Sequence, residues 1–296
     1  MEGYLLILLF TLCNVGESIL VKDYAKRHGS GGMLMNAVIA LFASLFFLIT
    51  DTGGFYVPAG MLPLALINCC LFAAGFYFTF VAFRIGPYGL TRLISNFSLL
   101  FTIFYGLIFL EEPITPLTFP GIAMILAAMV LINYKGKGST AVPEENGVSL
   151  KWLIYLLISV VANGFIGILT RMQQIRFDNA CSNEFQFISI GGSFVMLAVM
   201  GVILDRDKLR GVLKHGLLYG VGAGICNGAK NFVTLAVYLY IPISTAGPIK
   251  TGLGMVSAFV VALLLYKERY TKLQLIGVVL GAVAVVLLGL PKTIFG

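Results

Sequence analysis

Two lysines, Lys230 and Lys250, interrupt apolar stretches between Leu217 and Tyr266 that would otherwise enter lipid readily. A charge at bilayer depth costs at least about 2.5 kcal/mol, so such side chains face a protein interior, a counter-ion or a water-filled path. Asn227, Asn231 and Thr234 flank Lys230 at helical spacings of three and four, making one polar stripe. Glu17 and Asn14 are three apart in an early apolar stretch, and Arg92 and Asn96 are four apart in another. Two bland arrangements compete with a ligand site. One is a Lys230 ion pair with Glu184, and the other is a Glu17 to Arg92 pair, with Arg92 also able to snorkel to the interface.

The intramembrane cations Arg92, Lys230 and Lys250 outnumber the anions Glu17 and Glu184 by one. An excess positive charge favours a ligand carrying an anionic group, which then supplies the missing partner. On this reading Lys230 and Lys250 hold a carboxylate or phosphate, and Asn227, Asn231, Asn14 and Asn96 supply neutral hydrogen bonds. Glu17 is the coupling candidate, costly when charged and empty and relieved when protonated. Tyr77, with Phe76 and Phe80, could line an apolar subsite, although aromatic stripes in membrane helices mostly pack.

The elements that must position these groups are membrane helices. Of 296 residues, 59% are hydrophobic and 11% charged. About twenty apolar residues cross a bilayer as a helix. Ten such runs fall near 3–21, 32–50, 62–83, 88–110, 116–134, 150–170, 184–204, 216–239, 243–265 and 271–290. So little chain lies between them that a soluble catalytic or nucleic-acid-binding domain has no room. Met1-Glu2-Gly3 carries no basic leader region, so the first run is expected to be a span.

Short loops rich in Lys and Arg stay cytoplasmic. Loops after odd-numbered spans hold fourteen of these residues and the opposite side three, Arg171, Arg176 and Lys292. Both termini are therefore expected outside the cytoplasm, the setting being the inner (plasma) membrane of a bacterium. Depth counting from these spans places Lys230 and Lys250 at one level near the outer edge, and Glu17 and Arg92 toward the cytoplasm.

The chain repeats itself. Asn14, Ile19, Leu20 and Lys22 recur 149 positions later as Asn163, Ile168, Leu169 and Arg171, and Glu112, Thr115 and Gly121 recur 156 later as Glu268, Thr271 and Gly277. Residues 1–134 and 150–296 are thus two five-span repeats joined by the polar, turn-rich linker 135–149. An odd number of spans inserts the second repeat inverted relative to the first, the arrangement of many secondary transporters.

The paired pattern Glu112-x-x-Thr115 with Gly121, and Glu268-x-x-Thr271 with Gln274 and Gly277, each closing a fourth span and opening a fifth, resembles the drug/metabolite transporter superfamily, in particular its EamA-type members. The resemblance covers nearly the whole chain. It implies a ten-helix carrier whose cavity is lined by the third, fourth, eighth and ninth spans, often with the first and sixth. It also implies that basic residues on pore helices serve the branches carrying phosphorylated substrates. One departure is the lack of a proline in the fourth span, whereas Pro248 holds the matching place in the ninth.

The expectation is an all-α integral membrane protein, a secondary transporter, working by export or exchange, of a small metabolite with an anionic group such as an amino acid or organic acid. Exchange of phosphorylated metabolites or nucleotide-sugars, and export of a cation through Glu17, are the rival transport readings. A channel or a structural subunit is the rival of another class. No catalytic residue, metal site or cofactor is expected: His28 and His215 read as loop residues, and the five cysteines show no ligand spacing. The partners expected are a small-molecule substrate, a coupling proton or counter-substrate and the lipid bilayer, with no nucleic acid, in a monomer or homodimer.

Overall fold

The computed structural model describes residues 2–29, 31–51, 53–86, 91, 94–112, 116–133, 149–266 and 271–289. Arg92, the sequence 113–115, nearly all of the linker and Glu268 lie outside the described residues.

The first half contributes α1 (Glu2–His28), α2 (Gly32–Thr50), α3 (Leu62–Ile85), α4 (Asn96–Phe109) and α5 (Thr118–Asn133). The second contributes α6 (Leu150–Arg176), α7 (Ser182–Leu204), α8 (Leu217–Tyr240), α9 (Ile243–Tyr266) and α10 (Lys272–Gly289). Among the described residues α1, α2, α3, α6 and α7 are each long and apolar enough to cross a membrane, and α4, α5 and α10 are shorter apolar helices.

Packing follows the repeat. α1 lies along α8 and α6 along α3; α2 faces α7, and α5 faces α10. α2 also packs on α8 and α3 on α7. Exchanging each helix of the first half for its counterpart five places later leaves this pattern unchanged, as a two-fold relation between inverted five-helix repeats requires.

The glycine ladder of α8 explains how closely α2 fits. A Cβ on Gly220 would stand 2.4 Å from Val38, on Gly224 2.5 Å from Phe42 and on Gly228 2.6 Å from Phe46. Both helices present every fourth residue, so one ridge beds into the other's groove, and the absent side chains let the backbones approach.

Helix starts are fixed by side chains. Ser149 Oγ accepts Trp152 N–H at 3.1 Å ahead of α6. Thr271 and Gln274 form the expected capping box at α10, with Thr271 N–H donating to Gln274 Oε1 at 2.9 Å and Gln274 N–H to Thr271 Oγ at 3.4 Å. At α2 the cap comes from the other repeat. Asp205, just past α7, accepts Met33 N–H at 3.0 Å and holds Lys208 Nζ at 2.7 Å. Burial alone would raise this carboxyl, but the bonds from Lys208 and Met33, with the charges of Lys208 and Arg84, outweigh it and hold Asp205 below the usual carboxylate range.

The two histidines expected in loops are helical instead. His28 ends α1 and His215 lies in the helical turn Val212–Gly216 before α8, and their rings stack 4.8 Å apart beside Tyr24 and Tyr219.

Candidate functional site

Glu17 of α1 meets Lys230 of α8, Oε2 to Nζ at 2.5 Å. Its other oxygen accepts Asn227 Nδ2 at 2.8 Å, and Asn231 Nδ2 donates to Asn227 Oδ1 at 2.9 Å. Thr234 Oγ–H donates to the Lys230 carbonyl at 2.9 Å, so the stripe read from helical spacing is continuous. Cys13 and Cys226 stand beside the pair, with Cys226 Sγ 3.2 Å from where a Cβ on Gly16 would be. The result is a net-neutral patch, rich in donors and acceptors, inside the α1–α8 contact.

This arrangement corrects two expectations. Lys230 is paired with Glu17, not Glu184. Glu184 accepts Tyr56 N–H at 3.3 Å and lines a cavity of about 390 Å³ with Asp51, Asn179 and Asn183, where the α2–α3 and α6–α7 connections meet. Glu17 and Lys230 also share one level rather than opposite layers. α1 continues to His28, seven residues past the expected end at residue 21, so Glu17 is well inside its helix.

Lys250 sits apart from that pair. Its Nζ donates to Tyr238 Oη at 3.2 Å and lies 4.5 Å from the Tyr238 ring centroid and 5.3 Å from that of Phe10. Phe10 precedes Glu17 by seven residues on α1, about 10 Å along the axis. The two lysines are therefore on successive levels and do not form one anion clamp. No carboxylate pairs with Lys250 among the described residues; an aromatic cage offsets its charge.

The remaining candidates are dispersed. Asn14 faces α9, where a Cβ on Gly254 would stand 3.6 Å from Asn14 Nδ2. Asn96 is half-buried in the 3₁₀ turn Asn96–Ser98 that opens α4. Tyr77 packs against the α2–α7 core around Met33, Phe47 and Ile190, its ring 5.1 Å from Phe78. Arg92 is outside the described residues.

Sequence reasoning missed Phe10 and Tyr238. Tyr238 did carry a signal, because Lys230, Thr234 and Tyr238 recur every four residues. Phe10 carried none, since an aromatic residue in an apolar span is unremarkable until its neighbour is known.

Residues 1–134 match the EamA-like transporter family. That match covers the first five helices, somewhat under half of the chain. Two relatives align with most of the chain. "Putative sugar uptake protein" is the name of both, one from Listeria monocytogenes serovar 1/2a and one from Listeria innocua serovar 6a. Each is 26% identical over 275 residues, covering 90% of this chain and 88% of the relative. A solved crystal structure, 12% identical, superposes with a TM-score of 0.78 over 100% of this chain and 99% of its own, which shows the ten-helix fold. Five described helices long and apolar enough to cross a membrane, together with the match of the first half to a transporter family, fit an integral membrane protein.

Proposed function

We propose that the protein is a transporter that takes up a sugar or a similar polyhydroxylated neutral solute, binding it where α1, α8 and α9 meet. The observation that carries this reading is the Glu17–Lys230 pair with Asn227 and Asn231, bonded in one network. Such a patch offers hydroxyl groups both donors and acceptors without demanding a charge from the solute. Phe10 and Tyr238, one level away, add the apolar ring faces that a sugar's C–H surface can cover. The name of the two Listeria relatives points the same way.

Lys250 supports a second reading, the anionic metabolite expected from sequence. Its neighbours are neutral, so a carboxylate or phosphate would gain a strong charge-assisted bond there. Pairing of Lys230 with Glu17 removes one of the two lysines on which that reading rested. In either case Glu17 is the coupling group, because its protonation releases Lys230 and changes the charge of the pathway.

The test is uptake into proteoliposomes. Saturable counterflow of glucose or ribose, lost in Lys230→Met, supports the sugar reading. Counterflow of amino acids, organic acids or sugar phosphates alone, lost in Lys250→Met, replaces it with the anionic one. Glu17→Gln should transport by exchange yet fail to respond to an imposed pH gradient.

A further inference from the structure

Glu112 lies outside the α1–α8–α9 pathway, yet its carboxylate is fully engaged across the boundary between repeats. Oε1 accepts Ile243 N–H at 2.8 Å, and Oε2 accepts Ser244 N–H at 2.9 Å and Ser244 Oγ–H at 2.5 Å. These donors open α9, where backbone N–H groups lack partners within the helix and the helix dipole favours an anion.

The backbone of α4 is shaped to deliver the carboxylate. α4 ends in a π-helical turn, Tyr105–Phe109, followed by Glu111 at φ 49°, in the left-handed region. Glu112 N–H then donates back to the Gly106 carbonyl at 3.1 Å, which folds its side chain over the helix end. Beneath it the helices touch at backbone level. A Cβ on Gly106 would stand 2.5 Å from Glu112 Oε2 and 3.0 Å from side-chain atoms of both Ile243 and Ser244.

We infer that Glu112 is the latch that closes α4 against α9 at the α8–α9 end of the bundle, and that it lets go when the pathway opens there. A cap that served α9 alone could come from the preceding turn; this one comes from a residue 131 positions away in the other repeat. Rocking of one repeat against the other is how inverted-repeat carriers alternate their openings. α4 and α9 are counterparts in those repeats, so contacts at their ends are made and broken by that motion. Three hydrogen bonds to one carboxylate are strong when dry and replaceable by water when exposed, as a reversible closure needs. The π turn and the left-handed residue supply backbone able to rearrange. The latch also fixes the axial position of α9 and hence of Lys250, making Glu112 a positioning residue. This rests on alternating access and not on which solute is carried.

The test places spin labels at Phe109 and Tyr240, both exposed near the latch, in a transport-competent cysteine-free background. Distances are measured without solute, so the outcome is independent of the sugar reading. Glu112→Gln should raise the ratio of long to short distances about tenfold, the loss expected for one charge-assisted bond. Ser244→Ala, which keeps the carboxylate and both backbone bonds, should raise it by less. If Glu112→Gln does not fold, a raised ratio in Ser244→Ala still supports the latch. Unchanged distances in every variant that folds, with only the melting temperature lowered, would overturn it and leave a simple cap.

Discussion

Glu17 Oε2 and Lys230 Nζ stand 2.5 Å apart with side chains only 18% and 19% exposed, so neither charge can lose the other without being stranded in a largely dry contact. Breaking a fully buried pair from one side costs about 3 to 5 kcal/mol, and partial exposure reduces this to about 1 to 3. Glu17→Gln and Lys230→Met should each lower thermal stability in detergent. The double variant should recover most of that loss while remaining inactive in uptake. Additive losses in the double variant would show that the two side chains are not energetically coupled.

Tyr238 holds Lys250 with both its ring and its hydroxyl. Tyr238→Phe keeps the ring and should cost about 1 kcal/mol, the worth of one hydrogen bond. Tyr238→Leu removes both contacts and should cost a further 0.5 to 2 kcal/mol, on the order of a cation–π interaction. Thermal unfolding of the two variants separates the contributions. Equal melting temperatures for Phe and Leu would mean that the ring face contributes nothing.

Asp205 gives the fold an acid sensitivity with a defined sign. Its carboxyl is held below the ordinary value in the folded protein, so its stabilisation is fully present above the unfolded value, about pH 4. The contribution is lost as pH falls through the lower, folded value. Asp205→Asn should therefore be less stable at neutral pH and show a flatter decline in melting temperature below about pH 4. A variant whose decline parallels that of the parent would exclude Asp205 as the source.

Gly224 leaves no space for a methyl group, since its Cβ would stand 2.5 Å from Phe42 Cβ and 2.9 Å from the Ile39 carbonyl. Gly224→Ala should cost about 1 to 3 kcal/mol by forcing α2 and α8 apart. Gly211 has open space around the same atom, so Gly211→Ala should be tolerated. Unfolding of the two variants under one condition makes the comparison.

The glycine ladder and the polar stripe around Lys230 were legible, because each is a periodicity within one helix. The end of α1 was not. Lys22, Asp23, Lys26 and Arg27 mark where hydrocarbon ends, but charged residues do not stop a helix, and α1 runs on to His28. The partner of Glu17 was hidden because two long side chains reach toward each other along the α1–α8 contact, which counting residues from a span end does not show. Choosing Glu17 over Glu184 for Lys230 also required knowing that α1, and not α7, lies along α8. Glu112 read as a turn residue because its hydrogen-bond donors are 131 and 132 positions away. A partner at that separation is set by tertiary packing, which local spacing does not encode.

The cap on α2 has a consequence for biogenesis. Met33 N–H is satisfied by Asp205, a residue 172 positions later in the chain. As the ribosome feeds the chain into the membrane, α2 lacks this cap until α7 and the residue that follows it have been synthesised, and water must serve Met33 N–H meanwhile. The final form of the first repeat therefore depends on the second, and a chain truncated before residue 205 would keep α2 without that cap.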